Sequence, residues 1–285
     1  LISTLPSTTA PLSDCPFDNL QIRSPGSAVV QRIRLENTEF EGNNAAYLFD
    51  GGRTTLVDTG VATPAVRDQV EAGLADHGVD VADLEAILLT HWHHDHAGLA
   101  GAFQAESGAT VYAHPRDAPL AARDPDAEAE METLRERKLD EWGMPAEPKA
   151  KLLAFFEAAE GQGEPADVTR LDDGESVRAG DEELRAVHTP GHTDGHLCYV
   201  RADGTVLSGD ALLPKYTPNV GGADPRVDGA LGKYLDTLSW FADAGFDRAH
   251  PGHRDPIDDP AARARVIIDH HEERARKVLD YLAES

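Results

Sequence analysis

The chain has 285 residues, 40% of them hydrophobic and 27% charged, which is typical of a globular protein with one large domain or two small ones. It contains no run of about 18 apolar residues, so we expect a cytoplasmic protein with no signal peptide and no membrane partner. The only cysteines are Cys15 and Cys198, which excludes a disulfide scaffold and a cysteine-ligated zinc finger. A metal site would therefore need His and carboxylate ligands, and the chain has 13 His.

The charge balance is strongly acidic. The chain has 26 basic and 51 acidic residues, a formal net charge of −25, and such a surface repels phosphate backbones. We therefore expect a small-molecule substrate and no nucleic-acid partner. The basic residues comprise 20 Arg and only 6 Lys, while Asp outnumbers Glu by 30 to 21. This bias is typical of a halophilic protein, with an acidic mesophilic enzyme as the alternative.

The first part of the chain combines a lead segment with a β-rich region. Residues 1–18 are rich in Ser, Thr and Pro without an apolar period, which predicts a disordered lead or a cloning remnant, so we take 19–285 as the domain. Short β-rich runs and a turn then predict antiparallel strands. A helix is predicted to begin at Thr63-Pro64 and to end at Gly78. Strands are predicted at Ala28–Leu35, Ala45–Phe49, Thr54–Val57, Ala86–Leu89 and Thr110–Tyr112.

The second part contains a helical insertion, further strands and a terminal helix. Residues 116–163 are rich in helix formers, with amphipathic candidates at 126–142 and 147–160. This insertion is a possible lid, and the residues expected to form its apolar wall are Trp142, Met144, Leu153 and Phe156. The last helix is predicted at 259–284, with one face packed against the body, formed by Ile267, His271, Ala275, Val278 and Leu282. The strands predicted between them are Glu183–Val187, Leu197–Val200 and Thr205–Leu207.

A dense cluster of possible metal ligands follows the strand predicted at Ala86–Leu89. Four histidines and one aspartate lie within six residues of the run Thr-His-Trp-His-His-Asp-His. No hydrophobic core requires such a cluster, whereas zinc prefers imidazole nitrogens and carboxylate oxygens. Because alternate residues of an extended segment point the same way, His91 and His93 can share one metal, while Asp95 and His96 face a second.

Three further candidate ligands each follow a predicted strand. They are His192, Asp210 and His253, and a carboxylate at the position of Asp210 can bridge two cations. Seven side chains can then supply two zinc ions with their usual donors and leave room for a bridging water. The seven are His91, His93, Asp95, His96, His192, Asp210 and His253.

This set of motifs resembles the metallo-β-lactamase fold superfamily over about residues 28–255. The matching motifs, in chain order, are Asp58-Thr59-Gly60, His91-x-His93-x-Asp95-His96, Pro190-Gly191-His192-Thr193, Ser208-Gly209-Asp210 and Pro251-Gly252-His253. Their order looks like the dinuclear hydrolase branch, which includes glyoxalase II. The resemblance implies an α/β fold, a four-layer αββα sandwich with the metals along one edge, here carrying the helical insertion and the C-terminal helix.

The resemblance also implies individual roles. One metal would be held by His91, His93 and His192, and the other by Asp95, His96 and His253. Asp210 would bridge the two metals, and Asp58 would steady the ligand loop from behind.

Departures from the family patterns separate its branches. His93 stands where the diiron flavoprotein reductases have Glu, and Asp210 is present where true β-lactamases lack it or replace a ligand by Cys. The RNA-processing members need a basic surface, which this chain lacks. The loop after Asp210 differs from the glyoxalase II pattern, which argues against glutathione specificity. Lys215, Tyr216 and Asn219 in that loop could bind a substrate carboxylate or amide, or form a plain connection, and His114 is a further candidate.

These residues predict a metal-dependent hydrolase. A hydroxide bridging two zinc ions would attack a carbonyl carbon, and Asp95 would act as the catalytic residue that orients the hydroxide and takes its proton. A thiolate leaves with little acid help, so a thioester is the first expectation, with a lactone or another activated ester as the alternative. A second alternative is a mononuclear iron dioxygenase acting on glutathione persulfide through His91, His192 and Asp210. The oligomeric state is left open.

The charge composition generates a test. In molar salt the Debye length falls to about 3 Å, so repulsion among the 51 carboxylates is screened and stability should rise. We expect the thermal midpoint to rise from dilute buffer to molar KCl, by about 2–4 °C for each kcal/mol gained. Thermal melts at the two salt concentrations measure this. An unchanged or lower midpoint in molar KCl would show that the acidity is not a halophilic adaptation.

Overall fold

The computed structural model describes residues 30–36, 42–160 and 163–284. The lead segment predicted at 1–18 lies outside these residues. The first sheet has six strands in the order β1 to β6, and its two hairpin pairings are antiparallel while the later pairings are parallel. The strands are β1 (Gln31–Leu35), β2 (Asn44–Phe49), β3 (Thr55–Val57), β4 (Ala86–Leu88), β5 (Thr110–Ala113) and β6 (Val168–Arg170).

The second sheet has five strands in the order β11-β10-β9-β8-β7. Its strands are β7 (Ser176–Ala179), β8 (Glu182–His188), β9 (Leu197–Val200), β10 (Thr205–Gly209) and β11 (Arg248–Pro251). The chain passes up and down through β7 to β10, and β11 then pairs parallel to β10. The antiparallel hairpins predicted at the start of the chain are confirmed. Strands β6 and β7 were not predicted, and the strand expected before His253, β11, was given no bounds.

Helices cover the outer faces of both sheets. They are α1 (Pro64–Ala75), α2 (His94–Ala97), α3 (Ala100–Ser107), α4 (Ala118–Ala121), α5 (Pro125–Glu141), α6 (Ala146–Glu160), α7 (Ala230–Asp243) and α8 (Pro260–Glu284). Thr63 caps α1, since its side chain accepts a hydrogen bond from the Val66 amide, and Pro64 opens the helix as predicted. Helix α7 was not predicted. No helix in the described ranges is both long and apolar enough to cross a membrane.

The hydrophobic core is divided into three clusters by the two sheets. Strand β2 shows the division, because Tyr47 and Phe49 contribute to the cluster between the sheets while Leu48 contributes to the cluster under α1 and α3. On the far side, the second sheet packs through Cys198 and its neighbours against α7 and α8. The layers therefore run helix, sheet, sheet, helix, and the predicted αββα sandwich is confirmed.

The strand directions place several loops at one edge of the sandwich. Strands β3 and β4 run parallel, so the segments that follow them, with Asp58 and with His91, leave the first sheet at the same end. In the second sheet β8 is antiparallel to β9 and β9 is antiparallel to β10, so β8 and β10 run in the same direction. Strand β11 is parallel to β10, and the three strands therefore end at the same edge of the sheet. The segments after them carry His192, Asp210 and His253. The topology thus gathers residues from distant parts of the sequence.

The segment predicted as an insertion, 116–163, contains α4, α5 and α6. Leu120 and Met131 are buried in the same cluster as α1 and α3, so α4 and one face of α5 pack on the body. Helix α6 packs beside α5, with Leu153 and Phe156 half-buried. Trp142, predicted to belong to an apolar wall, is 59% exposed, and Met144 beside it is half-buried.

Helix α8 corrects one prediction. Its first half packs as expected, with Ala264, Ile267 and His271 buried. From residue 272 to 284 every side chain is exposed, including Ala275, Val278 and Leu282, which were predicted to pack against the body. The apolar residues of α8 keep their helical spacing beyond His271, the last buried residue of the helix. The spacing therefore predicted which residues share a face of the helix, but not whether the rest of the domain covers that face.

This division of α8 generates a test. Ile267→Ala should lower the free energy of unfolding by about 2–5 kcal/mol, because it leaves a cavity in a buried cluster. Val278→Ala, on the exposed half, should change it by less than about 0.5 kcal/mol. Urea unfolding of both variants in the same salt measures the difference. Equal losses for the two variants would mean that the second half of α8 is packed in solution.

Candidate metal centre

Seven polar side chains converge at the edge where the strands end. They form three overlapping groups, and within each group one donor atom from every member lies within 4.8 Å of the others. Six of the seven side chains are buried and His93 is half-buried. The groups are His91 with His93 and His192, His91 with His96 and Asp210, and Asp95 with His96 and His253. The structure thus brings together all seven residues proposed from the sequence as metal ligands.

The first group is built from three imidazole rings. Nδ1 of His93 lies 3.1 Å from Nε2 of His91 and 3.0 Å from Nε2 of His192. The other nitrogen of His91 faces the Thr90 hydroxyl at 3.0 Å, and that of His192 faces the carbonyl oxygen of Asn219 at 2.7 Å. These outer contacts take the Nδ1 protons, so both Nε2 atoms present lone pairs inward.

The donor count of this group fits a metal ion. A single proton on Nδ1 of His93 can satisfy only one of the two lone pairs that face it, so one buried acceptor is left without a donor. Burial, together with the neighbouring histidines, lowers the pKa values of His91 and His93 well below the usual range. Burial also lowers the pKa of His192. The rings are therefore neutral, which is the form that binds a cation.

The other two groups share His96, and their residues His96, His253, Asp95 and Asp210 are treated together here as the second group. Nε2 of His253 lies 3.3 Å from Oδ2 of Asp95 and 3.4 Å from Oδ2 of Asp210, and Nε2 of His96 lies 3.5 Å from Oδ1 of Asp210. Asp210 also reaches the first group, because its Oδ2 lies 3.6 Å from Nε2 of His192. Asp210 therefore lies between the two groups, where a bridging ligand would be needed.

The electrostatics of the second group favour a cation. Burial opposes charge on His96 and His253, but the facing carboxylates outweigh it: they hold the pKa of His96 well above the usual range and raise that of His253 to about 10. Burial would raise the pKa of Asp210, but His253 and His96 keep it well below the usual range. The carboxylates thus attract positive charge, which protons or a divalent metal can supply. Nε2 of His96 and Oδ1 of Asp210 are buried and face each other at 3.5 Å, but neither makes a hydrogen bond of normal geometry among the described residues, as expected of atoms aimed at a metal.

Asp58 supports ligands of both groups from behind. Its carboxylate accepts a 2.8 Å hydrogen bond from Nδ1 of His96 and two more of 2.8 Å from the amide and hydroxyl of Thr90. Thr90 in turn accepts a hydrogen bond from His91. Asp58 has a positive φ of 58°, and its amide donates to the carbonyl of Leu88. The carboxylate therefore fixes the ring of His96 directly and that of His91 through Thr90.

A motif glycine allows the ligands to approach one another. A Cβ at Gly252 would lie 2.5 Å from Oδ1 of Asp210 and 2.5 Å from Cε1 of His96, closer than any real side chain permits. The Pro-Gly-His motif thus needs Gly because the backbone before His253 passes directly beside the other ligands.

The substrate candidates after Asp210 lie in a loop that contacts the ligands. Asn219 supports His192 through its backbone carbonyl, while its side chain accepts a 2.8 Å hydrogen bond from the Gly222 amide. Lys215 and Tyr216 are exposed. Arg254, which follows His253, stacks on the Tyr216 ring with its Cζ 4.7 Å from the centroid.

His114 lies outside the seven-residue cluster. It is buried and stacks on His188, with the ring centroids 4.1 Å apart and the planes 7° from parallel. Its Nδ1 accepts a 3.3 Å hydrogen bond from the Arg116 amide. Burial and the adjacent His188 lower its pKa to about 4, so the ring is neutral at pH 7. These contacts give His114 a packing role in the structure.

Two further residues support the ligands, and one of them, Asn44, was not predicted from the sequence. Asn44, at the start of β2, donates through its side-chain amide to the backbone carbonyl and to Oδ2 of Asp95, at 3.0 and 3.2 Å. His196 accepts a 3.1 Å hydrogen bond from the Asp210 amide and faces the Thr189 hydroxyl at 2.8 Å. His196 was expected from the sequence to be a hydrogen-bonded structural residue beside His192, whereas nothing in the sequence near Asn44 indicates its contact.

Comparisons with known proteins agree with the observed fold. A metallo-beta-lactamase family protein of Thermus thermophilus has a similar solved structure, with a TM-score of 0.77 and 34% identity, covering 89% of this chain and 82% of that one. The beta-lactamase-like protein 2 homolog of Drosophila melanogaster is 27% identical over 254 residues, which is 86% of this chain and 69% of that protein. A probable metallo-hydrolase of Bacillus subtilis (strain 168) is 26% identical over 261 residues, 87% of this chain and 79% of that protein.

The chain spans about 60 to 70% of the length of several of the curated relatives that it matches, including the Drosophila melanogaster protein. The model of the metallo-beta-lactamase superfamily matches residues 39–253, which include every member of the seven-residue cluster. The match covers most of the chain, and the observed sandwich carries the cluster at the edge where its strands end. The chain therefore belongs to the metallo-beta-lactamase superfamily.

Proposed function

We propose that this chain is a dinuclear zinc hydrolase that cleaves a thioester or a similarly activated ester. The observation that supports this most directly is the pair of donor groups joined by Asp210. One group, His91 with His93 and His192, would hold one zinc ion, and Asp95 with His96 and His253 would hold the other. Five imidazoles and two carboxylates match the nitrogen and oxygen donors that zinc prefers, and the described ligand groups contain no thiolate.

Bound zinc would supply a nucleophilic hydroxide near neutral pH and a Lewis acid for the substrate carbonyl. The protein's own contribution is to hold the donor atoms rigidly. Four of the five histidines use their outer nitrogen on a fixed acceptor, namely the Thr90 hydroxyl, the Asp58 carboxylate and the carbonyls of Asn219 and Gly42. Fixed tautomers spare the site the cost of reorganisation when the ion and the substrate bind.

Asp95 is the residue we assign to proton transfer. Its Oδ2 accepts a hydrogen bond from Asn44 at 3.2 Å and faces His253, while its backbone carbonyl is also held by Asn44. The facing histidines hold its pKa far below the usual range although burial would raise it. The carboxylate is therefore ionised and oriented, as is required of a group that accepts a proton from the nucleophile.

The open side of the cluster indicates where a substrate enters. His93 is the half-buried member, so a carbonyl group would approach beside it. A thiolate leaves without a strong acid, and we assign no general acid to this site. The exposed pair Lys215 and Tyr216, next to Arg254, would contact the leaving group, which favours one that carries a carboxylate or amide.

The proposal is tested by metal content. Purified protein should hold about two zinc ions per chain, and His253→Ala should retain about one and lose at least about 99% of activity, since water replaces a missing ligand poorly. His96→Ala should behave in the same way, whereas His270→Ala, on the exposed face of α8, is the matched control and should change neither quantity. Elemental analysis combined with thioester and lactone assays in high salt gives both readouts.

The outcomes distinguish the alternatives. Equal metal content in the wild-type protein and in His253→Ala would contradict the two-site arrangement. One iron per chain together with oxygen uptake would support the dioxygenase instead. Cleavage of lactones with no cleavage of thioesters would retain the metal centre and change the substrate class.

A further inference from the structure

A cavity lies between the ligand segment and the helical insertion. Its volume is about 380 Å³, within the range of about 300–1,000 Å³ that is usual for small-molecule sites. One wall comes from the ligand segment, at Trp92 and His94, and the others come from α4, α5 and α6. The apolar side chains that dominate its lining include Leu120, Met131, Leu153 and Phe156.

A buried cation lines the cavity and contacts several of its walls. Arg135 of α5 is 5% exposed, and its guanidinium lies 4.3 Å from the centroid of the Phe156 ring and 5.6 Å from that of Trp92. The same group donates hydrogen bonds of 3.2 and 2.9 Å to the carbonyl of Ala223. Arg135 therefore ties α5 to α6, to the ligand segment and to the loop that follows Asp210. A cavity braced in this way costs little ordering entropy when it is filled.

The cavity borders the ligand segment on either side of His93. His93 is the half-buried ligand, and its neighbours in the chain, Trp92 and His94, both line the cavity. The rings of Trp92 and His93 are in contact, with their centroids 4.7 Å apart. None of the seven ligands lines the cavity itself, so the contact between Trp92 and His93 is the point at which the cavity meets the metal centre.

We propose that this cavity binds the acyl part of the substrate and selects an uncharged apolar acyl group over an acetyl group. This assignment rests on the proposed thioester hydrolysis and names its substrate class. Burial of apolar acyl surface against Leu153 and Phe156 supplies the binding energy. At the rim Arg123 is paired with Glu128 at 3.0 Å, while Glu132 and Glu157 add exposed negative charge, which disfavours an acyl chain that ends in a carboxylate.

The structure also revises the wall expected from the sequence. Leu153 and Phe156 line the cavity as expected, whereas Trp142 and Met144 are not among its lining residues. Trp92 and Arg135, which the sequence did not single out, take their place. The insertion thus acts as a wall built partly on the body, because Leu120 and Met131 belong both to the lining and to the buried core.

The experiment compares acyl chains in the zinc-loaded enzyme. Octanoyl, acetyl and suberoyl thioesters of N-acetylcysteamine are assayed in the wild type, in Leu153→Trp, which fills the cavity, and in Ala129→Trp, which narrows its rim at an exposed position. We expect kcat/KM for the octanoyl thioester to fall at least about tenfold in both variants while the acetyl value stays within about twofold. The suberoyl thioester, which ends in a carboxylate, should be a poorer substrate than the octanoyl one. Ala158→Trp, at an exposed position on the opposite face of α6 from the lining residues, is the matched control.

A binding measurement separates this inference from the proposed function. The thioether S-octyl-N-acetylcysteamine cannot be hydrolysed, so calorimetry reports its affinity whether or not the protein cleaves thioesters. We expect it to bind the wild type and Ala158→Trp, and to bind Leu153→Trp and Ala129→Trp at least about tenfold more weakly. Binding with this pattern but without thioester cleavage would overturn the proposed function alone. Equal affinity in all four proteins, or equal loss for octanoyl and acetyl thioesters, would overturn the acyl site.

Discussion

The carboxylate of Asp58 is the constraint on which the rest of the site depends. It is buried at the end of β3, and it holds one ligand of each donor group, His96 directly and His91 through Thr90. The parallel pairing of β3 with β4, with Val57 opposite Leu88, places the carboxylate beside Thr90. Removal of the carboxylate would leave three buried donors unsatisfied, a larger cost than the loss of one ordinary hydrogen bond. The geometry of the ligands therefore depends on the register in which β3 pairs with β4.

The acidic residues of the surface and the carboxylates of the site attract cations in different ways. A chain with a net charge of −25 attracts cations over its whole surface, but exposed carboxylates hold them weakly. The buried cluster differs because its two central carboxylates, Asp95 and Asp210, face imidazoles whose outer nitrogens are already bonded. Selectivity for a bound metal ion would thus come from the buried, pre-oriented donor atoms of the cluster. The net negative charge of the whole chain would chiefly affect its stability and solubility.

Much of the fold and of the cluster could be predicted from the sequence, because both follow from short-range patterns. The run from His91 to His96 is local in the sequence. Its distant partners were indicated by their positions directly after expected strands. The supporting contacts that were missed depend on a backbone group or on the point at which a strand begins, and neither can be seen in the sequence. Asn219 supports His192 with a backbone carbonyl, and Asn44 reaches Asp95 only because β2 begins at that point. Helix α7 is a different case, since Tyr234, Leu238 and Phe241 have helical spacing that could have been used.

The exposed half of α8 has a consequence for the dynamics of the chain. Residues 272–284 form about three and a half turns with no buried side chain, and isolated helices of that length are marginal in water. Their helicity depends on local pairs such as Lys277 with Glu273, whose charged atoms are 2.7 Å apart, and molar salt screens such pairs. Amide protons beyond His271 should therefore exchange with solvent deuterium far faster than those near Ile267. A single continuous helix would thus contain two cooperative units, divided where its contact with the body ends.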